Sequence, residues 1–149
     1  MKLHKRTNQD KDFLELTSRL DMDLHKRYGT QEEDYAEHNK IDLLNTVLIA
    51  YIKEEAIACA CFRKINQTTV EIKRMFVKNS HRGKGYSRLL LLELENWAKE
   101  LGYTKAILET GKGQPEAIAL YKKSQYFIIE NYGVYKNLDN SICMSKLLV

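Results

Sequence analysis

The chain has 149 residues, 44% of them apolar and 30% charged, with 24 Lys and Arg against 20 Asp and Glu for a net charge of +4. One domain spanning residues 1–149 is the expectation for that length, large enough to bury a core without staples. No apolar run approaches the roughly 18 to 20 residues of a membrane span and the N-terminus lacks a secretory apolar core, so a cytoplasmic protein without membrane contact is expected.

Residues 2–7 alternate as a short first strand would. Asn8, Asp10 and Asp12 offer caps to a helix running to Tyr28, whose apolar face is Phe13, Leu16, Leu20 and Leu24; Gly29 ends it. Residues 31–38 (QEEDYAEH) are acidic and read as a short helix or an ordered loop. Residues 47–51, 56–62 and 70–77 read as three strands joined by turns at 53–55 and 66–67, an antiparallel meander. Cys59 and Cys61 share one strand face, and with Cys143 they form neither a disulfide framework nor a zinc spacing, so reduced core thiols and no metal site are expected.

The third strand runs into a turn carrying Gly83 and Gly85, and the turn runs directly into a helix. A helix start leaves backbone N–H groups without partners, and glycines let a ligand come close to that backbone, which suits a phosphate. Six cations (Lys73, Arg74, Lys78, Arg82, Lys84, Arg88) and no acid fall between positions 73 and 88. Residues 1–50 hold 8 cations and 10 acids (−2) and residues 51–149 hold 16 and 10 (+6), so this one stretch equals the whole basic excess. A nucleic-acid binder would spread basic residues among aromatics over a wide face; a concentrated patch fits a small phosphorylated ligand better. The turn is neither a Walker A loop nor a dinucleotide fingerprint.

The helix after the turn has Leu90, Leu94, Trp97 and Leu101 at helical spacing, with Glu95 and Lys99 at i,i+4 on its polar surface and Gly102 as a cap. Residues 106–109 form a short strand that must lie parallel to its predecessor, because a helix crosses between them. A loop over 110–114 leads to Pro115 at a helical first position, with Ala117, Leu120, Tyr121 and Ser124 on one face. Residues 127–129 and 142–148 are the last strands, separated by the polar stretch 136–140.

The segment RMFVKNSHRGKGYSRLLLLEL resembles the acetyl-CoA-binding motif of the GCN5-related N-acetyltransferases (GNAT), whose loop reads Gln/Arg-x-x-Gly-x-Gly/Ala. Arg82, Gly85 and Ser87 stand in its three signature places, with Ser for the last small residue. GQPEAIALYKKSQYF is similar to the family's later segment, Asn-x-x-Ala-x-x-Leu-Tyr-x-x-x-Gly-Phe. Ala117, Leu120, Tyr121 and Phe127 are matched to it, Gln114 stands where Asn is usual, and Tyr126 precedes Phe127, with Gln125 where glycine is expected. The element order matches the family as well, so the resemblance covers nearly the whole chain. It implies an α+β fold, a mostly antiparallel sheet with a splayed parallel pair at the CoA site, flanked by helices.

The resemblance also implies a function: transfer of the acetyl group of acetyl-CoA to a primary amine of a small molecule or peptide, by direct attack in a ternary complex. Backbone N–H groups of Arg82, Gly83, Lys84, Gly85, Tyr86 and Ser87 would hold the pyrophosphate. Met75 and Val77 would bond pantetheine through their backbone, the Met75 or Phe76 amide would polarise the carbonyl, and Gln114 would join the cofactor site. Spacing alone leaves Tyr121 between a packed aromatic and an acid; the motif favours the acid that protonates the departing thiolate. The family does not fix the general base, and Glu71, Glu109 and a water relay all remain. Each carboxylate could instead be an exposed strand residue or an ion-pair partner, for instance of Lys73 or Arg74. The alternative class is a non-catalytic acyl-CoA-binding or nucleic-acid-binding module of the same fold. A homodimer is compatible with either reading. The acidic residues Glu32, Glu33, Asp34 and Glu37 would border the acceptor entrance, so a small cationic amine is expected over an acidic acceptor.

Overall fold

The computed structural model of the chain describes residues 1–29 and 44–149. The acidic stretch 31–38, with its expected short helix and acceptor-steering role, lies outside the described residues. In chain order the elements are β1 (Lys2–Arg6), α1 (Lys11–Tyr28), β2 (Val47–Ile52), β3 (Glu55–Lys64), β4 (Thr69–Val77), α2 (Tyr86–Glu100), β5 (Lys105–Gly111), α3 (Pro115–Lys123), β6 (Phe127–Ile129) and β7 (Ser141–Leu147). Short 3-10 turns cover Asn79–His81 and Gly133–Tyr135. The strands form one sheet in the order β1-β2-β3-β4-β5-β7-β6, with β4 and β5 as its parallel pair. This is the expected α+β arrangement. No helix among the described residues is long and apolar enough to cross a membrane.

The chain divides into two compact units, residues 1–62 with 73–94 and residues 63–72 with 95–149. In the first, α1 starts where Asp10 accepts hydrogen bonds from the N–H groups of Asp12 (2.8 Å) and Phe13 (3.3 Å). It stops at Gly29, whose positive φ of 80° closes the last turn through a bond to the His25 carbonyl. The 3.6-residue stripe Phe13, Leu16 and Leu20 packs on Val47, Ile49, Ala56, Cys59, Cys61 and Phe76, with Leu24 partly buried beside them. Cys59 and Cys61 are buried, reduced and part of this core. Arg74 takes a left-handed φ of 60° inside β4. Its buried guanidinium donates to the Thr17 carbonyl (3.1 Å) and pairs with Asp21 (2.9 Å), which ties α1 to the strand.

In the second unit, β4 runs parallel to β5 with Glu71 opposite Ile107, and β5 pairs antiparallel with β7 from Lys105 opposite Leu147 to Gly111 opposite Ser141. That pairing carries β5 through Thr110 and Gly111, which sequence reading assigned to a loop; cross-strand bonds outweigh the weak local preference of a glycine. The polar surface expected for α2 needs a second correction. Glu95 is buried, accepting from the Tyr126 hydroxyl (2.9 Å) and the Lys146 ammonium (2.7 Å), while Lys99 reaches the Val149 carbonyl instead. Leu101 lies beyond the helix end and is exposed.

The close of α3 corrects the motif match. Tyr126 N–H bonds the Tyr121 carbonyl (3.0 Å) and Gln125 N–H the Lys122 carbonyl (3.1 Å), the paired bonds of a Schellman cap, with Gln125 in the left-handed position at φ 74°. Gln125 therefore holds the glycine place, and the buried Tyr126, 3% exposed, holds the aromatic place assigned to Phe127, which is 72% exposed. A non-glycine residue in that conformation costs about 1–2 kcal/mol. Gln125→Gly is expected to stabilise the protein by about 1 kcal/mol, read as a higher urea midpoint with an unchanged slope. Beyond it, β6 is the outer strand, bonded to β7 alone, and Ile128 on it is 59% exposed.

Candidate active site

The first unit carries the glycine turn. After β4 the chain makes the 3-10 turn, closed by His81 N–H to the Lys78 carbonyl (2.9 Å) and Arg82 N–H to the Asn79 carbonyl (3.3 Å), and then enters α2. Gly83 and Gly85 sit at φ 77° and 85°, a region that other residues adopt only with strain. The first helical bond runs from Leu89 N–H to the Gly85 carbonyl (3.2 Å). Among the described residues, the N–H groups of Gly85, Tyr86, Ser87 and Arg88 make no hydrogen bond, as at any helix start without a side-chain cap. Added Cβ atoms at either glycine would meet no protein atom within 4 Å. The turn thus offers open backbone donors at the positive end of a helix, a fit for a diphosphate.

The six cations do not all serve that turn. Arg74 is held by Asp21, and Lys78 faces Glu55 at 3.4 Å. Arg82 folds back over the Phe76 ring, donates from Nε to the Val77 carbonyl (2.8 Å) and faces Asp23 at 3.6 Å. Lys73 is buried. Lys84 and Arg88 are exposed and pair with no acid among the described residues. The unopposed patch is therefore smaller than the linear count suggests, because partners for Arg74, Lys78 and Arg82 come from α1 and β3. Arg82 braces the turn while the backbone beyond it faces solvent. Met75 is half-buried, and Phe76 and Val77 are buried.

The second unit carries the other candidates. Tyr121 on α3 is buried, with its ring packed edge-on against Tyr126 at 5.8 Å. Its hydroxyl makes no hydrogen bond among the described residues. Burial first, and then the nearby Glu109 carboxylate, push the phenol well above its ordinary range, so it carries its proton throughout the neutral range. Gln114 caps α3, its carbonyl accepting from the Ala117 and Ile118 N–H groups, both at 3.1 Å.

The two carboxylates differ sharply. Glu71 is 1% exposed and each oxygen is taken: Oε1 accepts from Arg63 Nε (2.7 Å) and Oε2 from the Tyr132 hydroxyl. Among the described residues it forms an ion pair with Arg63 of β3, while Arg74 pairs with Asp21. Glu109 is half-buried and accepts from the Ser141 hydroxyl (2.7 Å). Burial and the Glu71 charge raise the phenol of Tyr132, and burial with Glu71 and Glu109 raises that of Tyr135, so these groups form one electrostatic cluster. Sequence reading did not single out Arg63, Tyr132, Tyr135 or Ser141. The one local signal was an aromatic pair at positions 132 and 135 flanking a glycine in a polar connection.

A family model described as "Acetyltransferase (GNAT) family" matches residues 12–127. The chain belongs to the GNAT family. Among curated relatives, the "IAA acetyltransferase" of Azospirillum brasilense is 38% identical over 78 residues, covering 52% of this chain and 51% of that one. The matches span about half or less of the first three curated relatives, 51%, 35% and 29% of their lengths. Solved structures agree on the GNAT fold. A GNAT-family acetyltransferase from Staphylococcus aureus Mu50 superposes with a TM-score of 0.77 at 16% identity, covering 99% of each chain. An aminoglycoside 6'-N-acetyltransferase solved with coenzyme A superposes with a TM-score of 0.74 at 15% identity, covering 100% of this chain and 98% of that one.

Proposed function

We propose that residues 1–149 are one acetyltransferase domain that uses acetyl-CoA to acetylate a primary amine. The observation that carries this reading is the glycine turn: four unclaimed N–H groups heading α2, with Lys84 and Arg88 beside them, in a chain of the GNAT family. Acetyl-CoA supplies the activated acetyl thioester. Gly85, Tyr86, Ser87 and Arg88 hold its diphosphate by backbone N–H, assisted by the α2 dipole. Met75 and Val77 line up the pantetheine arm, and the Met75 or Phe76 amide stabilises charge on the carbonyl oxygen. Gln114 completes the cofactor contacts.

Glu109 is the better of the two candidate bases, because Glu71 is sealed from solvent with both oxygens engaged. Glu109 takes a proton from the acceptor ammonium, and the free amine attacks the thioester carbonyl. As the C–N bond forms and the C–S bond breaks, the amine loses its second proton to water. Tyr121 gives its phenolic proton to the departing thiolate and is reprotonated from solvent. Glu109 then releases its proton to solvent, so the products are the amide, free CoA and one net proton. The charge of the half-buried Glu109 favours a small cationic amine over an anionic acceptor.

Thiol release from acetyl-CoA, followed across amines, amino acids, polyamines, aminoglycosides and peptide N-termini, tests the reading. Release with at least one cationic amine is expected. Tight acetyl-CoA binding with no release for any acceptor would make the chain a non-catalytic binding module instead.

A further inference from the structure

The connection between β6 and β7 reaches both carboxylates. From residue 131 to 141 it is bonded to itself: the Asn131 side-chain amide donates to the carbonyls of Leu138 (3.3 Å) and Ser141 (3.2 Å), and Ser141 N–H closes on the Leu138 carbonyl (3.0 Å). Within this closed piece, Tyr135 N–H bonds the Tyr132 carbonyl (2.9 Å), and the two rings meet edge to face at 5.6 Å. One end places the Tyr132 hydroxyl on Glu71 of β4, and the other places the Ser141 hydroxyl on Glu109 of β5.

The two contacts have different consequences. Tyr132 and Arg63 together engage both oxygens of Glu71, which is inaccessible, so this carboxylate is held in a buried pair. Ser141 binds one oxygen of a half-buried carboxylate, which favours the ionised form and fixes its orientation. Among the described residues, groups facing Glu109 include Ser141 and Cys143 of β7, Tyr121 of α3 and Tyr135 of the connection, with Glu71 adding its field to the same cluster.

We propose that residues 131–141 are a positioning segment that divides the work of the two carboxylates: Ser141 keeps Glu109 ionised and aimed as the proton acceptor, while Tyr132 locks Glu71 onto Arg63 as a buried, charge-compensated pair that takes no part in proton transfer. The base assignment rests on the function proposed above. Ser141 and Tyr132 are positioning residues, acting through the carboxylates.

The test is a carboxyl-carbon NMR titration of the full chain labelled at glutamate, in wild type, Ser141→Ala, Ser141→Thr and Tyr132→Phe, with pH profiles of kcat/KM on an accepted amine. Losing the Ser141 donor removes a bond to the ionised form, so the Glu109 titration should move to higher pH by about one unit in Ser141→Ala. Threonine, which keeps the hydroxyl, should restore it. The acid limb of kcat/KM, which rises as the base ionises, should move up with it. Tyr132→Phe should leave the acid limb in place, because Glu71 is sealed from solvent against Arg63 and transfers no proton. An unmoved Glu109 titration in Ser141→Ala, or an acid limb that follows Tyr132→Phe instead, would overturn the proposal. Absence of turnover on every amine in wild type would overturn the proposed enzyme, while the Glu109 titration would still decide whether Ser141 governs that carboxylate.

Discussion

Tyr121→Phe is expected to lower kcat about 10²-fold, the low end for loss of a general acid, with acetyl-CoA affinity essentially unchanged. The substitution is clean for a structural reason. The ring stays packed on Tyr126, and because the hydroxyl makes no hydrogen bond among the described residues, its removal strands no buried partner. Folding should therefore be preserved, and a thermal melt matching wild type is part of the expected result. The phenol is in its proton-carrying form at neutral pH, and burial with Glu109 raises it further, which makes it a weaker acid toward a thiolate than a free phenol. Turnover in the Phe variant equal to wild type, on any accepted amine, would return Tyr121 to a packing role.

Gly85→Val is expected to weaken CoA binding on the order of 10²-fold, measured by calorimetry, in a protein that still folds. At φ 85° a valine is strained by about 1–2 kcal/mol, yet its Cβ would meet no protein atom within 4 Å. The penalty falls on the ligand. A diphosphate must approach the N–H groups that follow, and losing one or two charge-assisted hydrogen bonds at about 1.5–3 kcal/mol each accounts for the loss. Unchanged CoA affinity would remove the turn from the binding site.

The stripe of α1, the three-strand meander, the glycine turn and the parallel β4–β5 pair were legible because each rests on local periodicity or on a connection rule. Phe13, Leu16 and Leu20 announce their buried face within two helical turns. What sequence did not show depends on distant partners. Glu95 reads as a surface residue until Tyr126, 31 positions away, and Lys146, 51 away, are brought to it. Glu71 reads as an accessible base until Arg63 and Tyr132 close over its two oxygens. The cationic stretch overstated its free charge for the same reason: Asp21, Asp23 and Glu55 are invisible to a count taken along residues 73–88. The aromatic after α3 was misplaced by one position, and the left-handed φ of Gln125 is what fixes the alignment.

The outer strand β6 leaves its far backbone edge unpaired within the sheet and displays Phe127 and Ile128 to solvent, with Glu130 as the nearest charge in sequence. A bare edge carrying aromatic and branched side chains is a template on which another chain can add a strand. At three residues the strand offers such a partner only a short stretch of backbone, so any association through it is expected to be weak. Self-association by that route would grow with concentration while every molecule is still folded, so it would be a surface property of the native state and not a measure of its unfolding free energy.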